Sequence, residues 1–164
     1  MTTILNLTQH DATGDQIDAG VVEPSDAHKD LIGDLLTIKM TQPDGLGFAQ
    51  LDPENQKMEL ERCAHDLAVL ACEYQAAAIR RMVEQTLDAD LTDFQFAQNL
   101  EQAREMRVMV GGFQPLMDVL VDALKRRGMI PVVALSEREV VETTDGDGNV
   151  SKRAVFKHCG FYAL

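Results

Sequence analysis

RVMVGGFQPLMDVLVDALKRRGMIPVVAL, residues 107–135, decides the fold. Arg107–Val110 is a short β-branched and apolar run, Gly111-Gly112 breaks it, and Leu116, Met117, Leu120, Val121 and Leu124 repeat at helical spacing. After Gly128 a second apolar run begins at Ile130. Strand, glycine turn, amphipathic helix and strand make one crossover of a parallel sheet. Pro115 suits the first turn of that helix, where its missing N–H has no partner to lose. The glycines let the backbone approach a ligand, and a helix start offers free N–H groups and the positive end of the helix dipole. The turn is neither GxGxxG nor GxxxxGK[ST], which argues against standard dinucleotide binding and Walker-type hydrolysis.

Working outward toward the N-terminus, Thr3–Leu7 (TILNL) reads as a first strand that stops at Thr8-Gln9-His10-Asp11. Thr13 caps a short helix closed by Gly20, and Val21-Val22 predicts a brief second strand ending at Pro24. Ser25 caps a helix carrying Leu31, Ile32, Leu35, Leu36 and Ile38 through Lys39. Residues 41–53 (TQPDGLGFAQLDP) form a loop long enough to be a lid or a connection over the sheet edge. Asp52-Pro53-Glu54 starts a long helix striped with Leu60, Cys63, Leu67, Ala71 and Tyr74, reaching Leu87, and a further helix turns Phe96, Leu100 and Ala103 inward. Toward the C-terminus, Glu139–Thr143 and Val150–Lys157 flank the DGDGN turn 145–149, as in a hairpin.

The expected architecture is a single α/β domain over 1–164. It is a three-layer Rossmann-like sandwich with a mainly parallel sheet, a C-terminal antiparallel hairpin, and an inserted loop and helical segment at about 41–105. In a parallel sheet, strand ends gather on one side, so Thr8, Gln9 and His10 should meet Gly111, Gly112 and Gln114, joined by Ser136 and Arg138 after the strand from Ile130. Arg138 offers a bidentate donor for phosphate or carboxylate; Ser136, Thr8 and Gln9 offer neutral hydrogen bonds. His10 is the candidate acid or base, with no partner that the sequence can assign.

Of 164 residues, 27 are acidic and 15 basic, a net charge of −12. Residues 1–99 hold 18 acidic against 6 basic, while residues 100–164 hold 9 of each. Such an acidic chain repels a nucleic-acid polymer, yet its neutral third can take a small anion or nucleotide; the acidic part can instead dock on a basic protein partner. No apolar run reaches the roughly 18 residues of a membrane span, which predicts a cytoplasmic protein without membrane contact. Cys63, Cys72 and Cys159 lack CxxC pairing and read as reduced thiols. Cys63 and His65 point to different sides of a helix, so no metal is expected, nor any cofactor. His158 and Cys159 lie on opposite strand faces and do not pair. DGDGN lacks the glycine and glutamate of a calcium loop. A homodimer is compatible with all of this.

Two resemblances extend the reading. ILNLTQHDATGDQIDAGVV, with MVGGFQPLM, VVALSERE and the close on FKHCGF, resembles a family of small uncharacterised proteins, often phage- or prophage-borne. That family transfers no activity. Gly111, Gly112 and Met117 are also similar to the glycine turn of CRISPR-associated Rossmann-fold (CARF) domains, which implies a nucleotide such as a cyclic oligoadenylate as ligand class and leaves cleavage of such a second messenger as a further alternative.

Overall fold

The computed structural model describes residues 3–38, 47–87, 92–144 and 150–164. Its elements run β1 (Ile4–Leu7), α1 (Gly14–Asp18), β2 (Val21–Val22), α2 (Asp26–Thr37), α3 (Pro53–Leu87), α4 (Asp93–Arg104), β3 (Arg107–Val110), α5 (Gln114–Lys125), β4 (Ile130–Thr144) and β5 (Val150–Ala163). The five strands form one sheet in the order β2-β1-β3-β4-β5, with β2, β1, β3 and β4 parallel and β5 antiparallel. The α/β class, the mostly parallel sheet and the antiparallel C-terminal pair therefore match the sequence expectation.

The inner strands β1 and β3 are apolar because both of their faces are covered. Every residue of β1 is buried, and alternation divides them: Leu5 and Leu7 point one way, Ile4 and Asn6 the other. The first face, with Val108 and Val110, meets Ile32, Leu35 and Leu36 of α2, Leu67 and Ala71 of α3, and Leu116, Leu120 and Leu124 of α5 in one core. On the second face lie Ile4, Val21, Met109 and Val132, packed by Ala12, Ile130, Ala134 and Phe161. These contacts give one full helical layer; over the second face stands the five-residue α1 with its leading segment, much thinner than the third layer of the expected sandwich.

The long helix takes its expected limits. Asp52 accepts hydrogen bonds from the N–H groups of Glu54 and Asn55 at 3.0 Å each, fixing its start. At 35 residues it is roughly 52 Å long. Its first half is anchored in the core by Cys63, Ala64, Leu67, Ala68, Leu70 and Ala71, and α4 packs along the remainder. One expectation fails on α4: Phe96 is exposed, as is Phe94, because among the described residues this helix packs chiefly on α3, on its other side. Helix α2 ends at Thr37 rather than Lys39, with buried Ile38 in the left-handed region at φ 47°. Within the loop expected at 41–53, the described residues hold a 3₁₀ turn at Phe48–Gln50; its first part, 41–46, and the DGDGN turn lie outside the described residues.

The largest departure is in β4. Sequence punctuation at Ser136 suggests that the strand stops there, with a separate hairpin following. Instead β4 is a single 15-residue strand. Its pairing with β3 ends at Val132, after which it continues with β5 alone as a two-stranded arm roughly 40 Å long, bulged between Leu135 and Ser136. Serine and charged residues are compatible with a strand here because the arm leaves the core. Among the described residues, no helix is long and apolar enough to cross a membrane.

Candidate functional site

Strand β1 connects to β2 on one side, and β3 connects to β4 on the other. The connections thus leave the carboxyl ends of neighbouring β1 and β3 in opposite directions, opening a crevice between them, the position where open α/β sheets bind ligands. A cavity of about 480 Å³ occupies it. Thr8, Gln9, His10 and Asp11 form one wall, Gly111 and Gly112 the other, Thr13 and Gln16 reach in from α1, and Met109, Val133 and Ala134 supply apolar surface.

The β1 wall is held by a residue the sequence reading passed over. Asn6, only 1% exposed, is a polar side chain inside an apolar strand. Its amide nitrogen donates to the His10 carbonyl and to Glu23 Oε1, each at 2.9 Å. Its amide oxygen accepts from the Thr8 N–H at 2.9 Å, with the Thr8 hydroxyl 2.8 Å away. Burying this amide is affordable only because both ends are satisfied. Glu23 Oε1 also accepts from the Ala12 N–H at 2.6 Å, and Lys29 ties the loop down through Asp11 at 2.6 Å and Glu23 at 3.4 Å. The hydrogen bond from Lys29, and then its charge, hold the Asp11 carboxyl below its ordinary range, while the bond to Asp11 chiefly raises Lys29. Asp11 is thus committed to an ion pair and His10 is carried on a braced loop. The signal was legible: an asparagine at a core position of TILNL needs partners.

On the opposite wall the two glycines have different reasons. Gly112 sits at φ +142°, where a side chain is strained whatever the space. Gly111 is not so constrained; a Cβ there would lie 3.6 Å from the Thr8 methyl and project toward the other wall. Phe113 is the N-cap of α5, and its carbonyl accepts from Leu116 and Met117 at 3.0 and 3.1 Å. The N–H groups of Gly112, Phe113 and Gln114 have no acceptor among the described residues. With the start of the 12-residue α5 they give this wall a positive character that the side chains do not: among the described lining residues His10 alone can carry a positive charge.

The structure brings together Thr8, Gln9, His10, Gly111 and Gly112. Gln114 lies over the turn and lines an adjoining cavity of about 530 Å³ with Met117, Asp118 and Asp122, its amide donating to Asp118 at 3.1 Å. The two spaces share Gly111, Gly112, Val110 and Val133. Ser136 and Arg138 do not line either cavity. They fall within β4, opposite His158 and Phe156, and Arg138 is roughly 13 Å along the strand from Ala134 at the cavity wall. Residues Thr13 and Gln16 belong to the cavity and were not anticipated. Among the described residues no group of three His, Cys, Asp or Glu could hold a metal ion.

A family model, the uncharacterised MJ1673 protein family, matches residues 53–162, so the chain belongs to that family. The matched span begins at α3 and takes in the glycine turn and the arm, so the helical middle is part of the family's own pattern. No curated protein and no solved structure matches the chain.

Proposed function

We propose that this member of the MJ1673 family binds a small anionic ligand, with a nucleotide phosphate as the best fit, in the crevice between the carboxyl ends of β1 and β3. The observation that carries the reading is the glycine turn: N–H groups of Gly112, Phe113 and Gln114 without acceptors among the described residues, at a helix start, beside a cavity of about 480 Å³. On the other side the Thr8 donors are spent on Asn6, and the loop they brace carries the Gln9 amide and the His10 ring to the cavity, so a phosphate meets held groups with little ordering cost. Binding is preferred to turnover because Asp11, the titratable neighbour of His10, is engaged by Lys29. Cleavage of a nucleotide second messenger would require His10 to act as the acid or base alone. A Rossmann-like ancestry, the CARF kinship and a phage or prophage origin all fit this ligand class, and a cytoplasmic location would give access to it.

Isothermal titration with inorganic phosphate, mononucleotides, and linear and cyclic oligoadenylates tests the reading. Binding should appear for at least one phosphate-bearing probe and be lost in Gly111→Val, which fills the space facing Thr8 while φ at that position permits a side chain. Absence of heat with every probe, or equal affinity in Gly111→Val, defeats it. Arg138→Ala should bind like the wild type within one chain, given its distance from the cavity.

A second reading rests on α2. Asp26, Asp30 and Asp34 are exposed and spaced one turn apart, an unscreened acidic stripe suited to a basic protein surface.

A further inference from the structure

Three hollows meet at Gly112. It lines the crevice, the adjoining cavity with Asp118 and Asp122, and a third space of about 480 Å³ lined also by Gln9, Leu36, Ile38, Phe48 and Phe113. Phe48, from the 3₁₀ turn, and Phe113, the N-cap of α5, stand edge to face, with ring centroids 5.9 Å apart and planes at 84°. Two rings at right angles make a corner in which a flat ring can stack on one and meet the other at its edge. Phe113 is 43% exposed, so this corner is not sealed into the core. Buried Ile38, a β-branched residue, is held at φ 47° in the left-handed region, a strain that persists where the surroundings over-determine it and that gathers at ligand sites. Gln9 lines this hollow and the crevice alike, and its side-chain amide, both donor and acceptor, makes no hydrogen bond among the described residues. The cavity with Asp118 and Asp122 suits a nucleotide less well: its carboxylates repel phosphate, and among the described residues it has no aromatic wall.

We infer that the Phe48–Phe113 hollow seats the base of the nucleotide whose phosphate meets the N–H groups of Gly112, Phe113 and Gln114. This rests on the reading of the glycine turn as a phosphate site and adds the part of the ligand that phosphate contacts do not select. Phe113 joins the two parts, since its N–H belongs to the turn and its ring walls the hollow. Stacking on the aromatic pair supplies affinity, and the Gln9 amide pairs with the polar edge of the base and fixes its orientation.

Isothermal titration with adenosine monophosphate, ribose 5-phosphate and adenosine separates the two parts. The wild type should bind adenosine monophosphate roughly tenfold or more tighter than ribose 5-phosphate, the order that stacking of one base supplies. Phe113→Ala should abolish that difference and leave the affinity for ribose 5-phosphate unchanged, because the backbone N–H groups and the capping carbonyl stay. The side chain is exposed, so far-UV circular dichroism should not change. Gly111→Val should do the reverse: it should lose ribose 5-phosphate and bind adenosine as the wild type does, since Gly111 does not line the aromatic hollow. Equal affinity for adenosine monophosphate and ribose 5-phosphate, or a difference that survives Phe113→Ala, overturns the base seat and leaves the phosphate reading standing. Adenosine binding that is lost in Phe113→Ala, with no heat from ribose 5-phosphate, supports the base seat and defeats the phosphate reading. No binding of any of the three probes overturns both.

Discussion

Single residues set the shape of the crevice. Asn6 makes the loop after β1 a fixed object rather than a flexible exit, and its replacement by leucine keeps the volume while leaving the Thr8 N–H without its acceptor and Glu23 Oε1 with the Ala12 N–H alone. Unsatisfied buried groups cost about 1–3 kcal/mol, so Asn6→Leu should lower the urea-unfolding free energy by that order. Gly112→Ala should cost about 1–3 kcal/mol through its backbone alone, whereas Gly111→Ala should be nearly silent in the same measurement. The Asp11–Lys29 pair makes a pH prediction. Asp11 is held low, so its contribution exists above the ordinary carboxylate range and disappears as pH falls through its lowered value. Lys29 is held high, so its contribution is complete below the ordinary lysine range and is lost only as pH rises through its raised value. A ¹³C titration of the Asp11 carboxyl should give a midpoint below the ordinary value and return to it in Lys29→Met. An unchanged midpoint would mean the pair is absent in solution. Of these residues, the glycines and His10 were visible in the sequence as punctuation and as a titratable group; the bracing set of Asn6, Glu23 and Lys29 was not, since its members are spread over 24 positions and meet only when β2 and α2 fold against β1.

Elements were legible where their periodicity was strong. The stripe Leu60, Leu67, Ala71 with the Asp52 cap specifies α3, because burial and capping point to the same limits. Leu67, fully buried at the junction with the core, should cost about 2–5 kcal/mol as Leu67→Ala, measured by thermal or urea unfolding. Helix α4 was legible as a helix and misread in its facing, since a weakly amphipathic stripe does not say which side finds a neighbour. The same limit applies to β4. Periodicity of two continues through Ser136–Arg138, but composition there resembles a strand end, and only pairing with β5 carries the strand onward.

For the whole molecule, the division is between a small sheet packed by helices and an arm that leaves it. Amides of β1 and β3, flanked by strands on both sides, should exchange with deuterium only on global unfolding. Arm amides beyond Ser136, outside the β3 pairing, should exchange faster. A uniform exchange rate along β4 would argue that the arm is as rigid as the sheet.

The sequence by itself determined the α/β class, the crossover around Gly111-Gly112, the limits of the long helix and the uneven charge, since each depends on residues close together along the chain. Tertiary structure alone decided which strand ends share a mouth, which residues brace His10, and that Ser136 and Arg138 are carried away on an arm. Strand order and pairing length arise from contacts between distant segments, whose partners local patterning cannot identify.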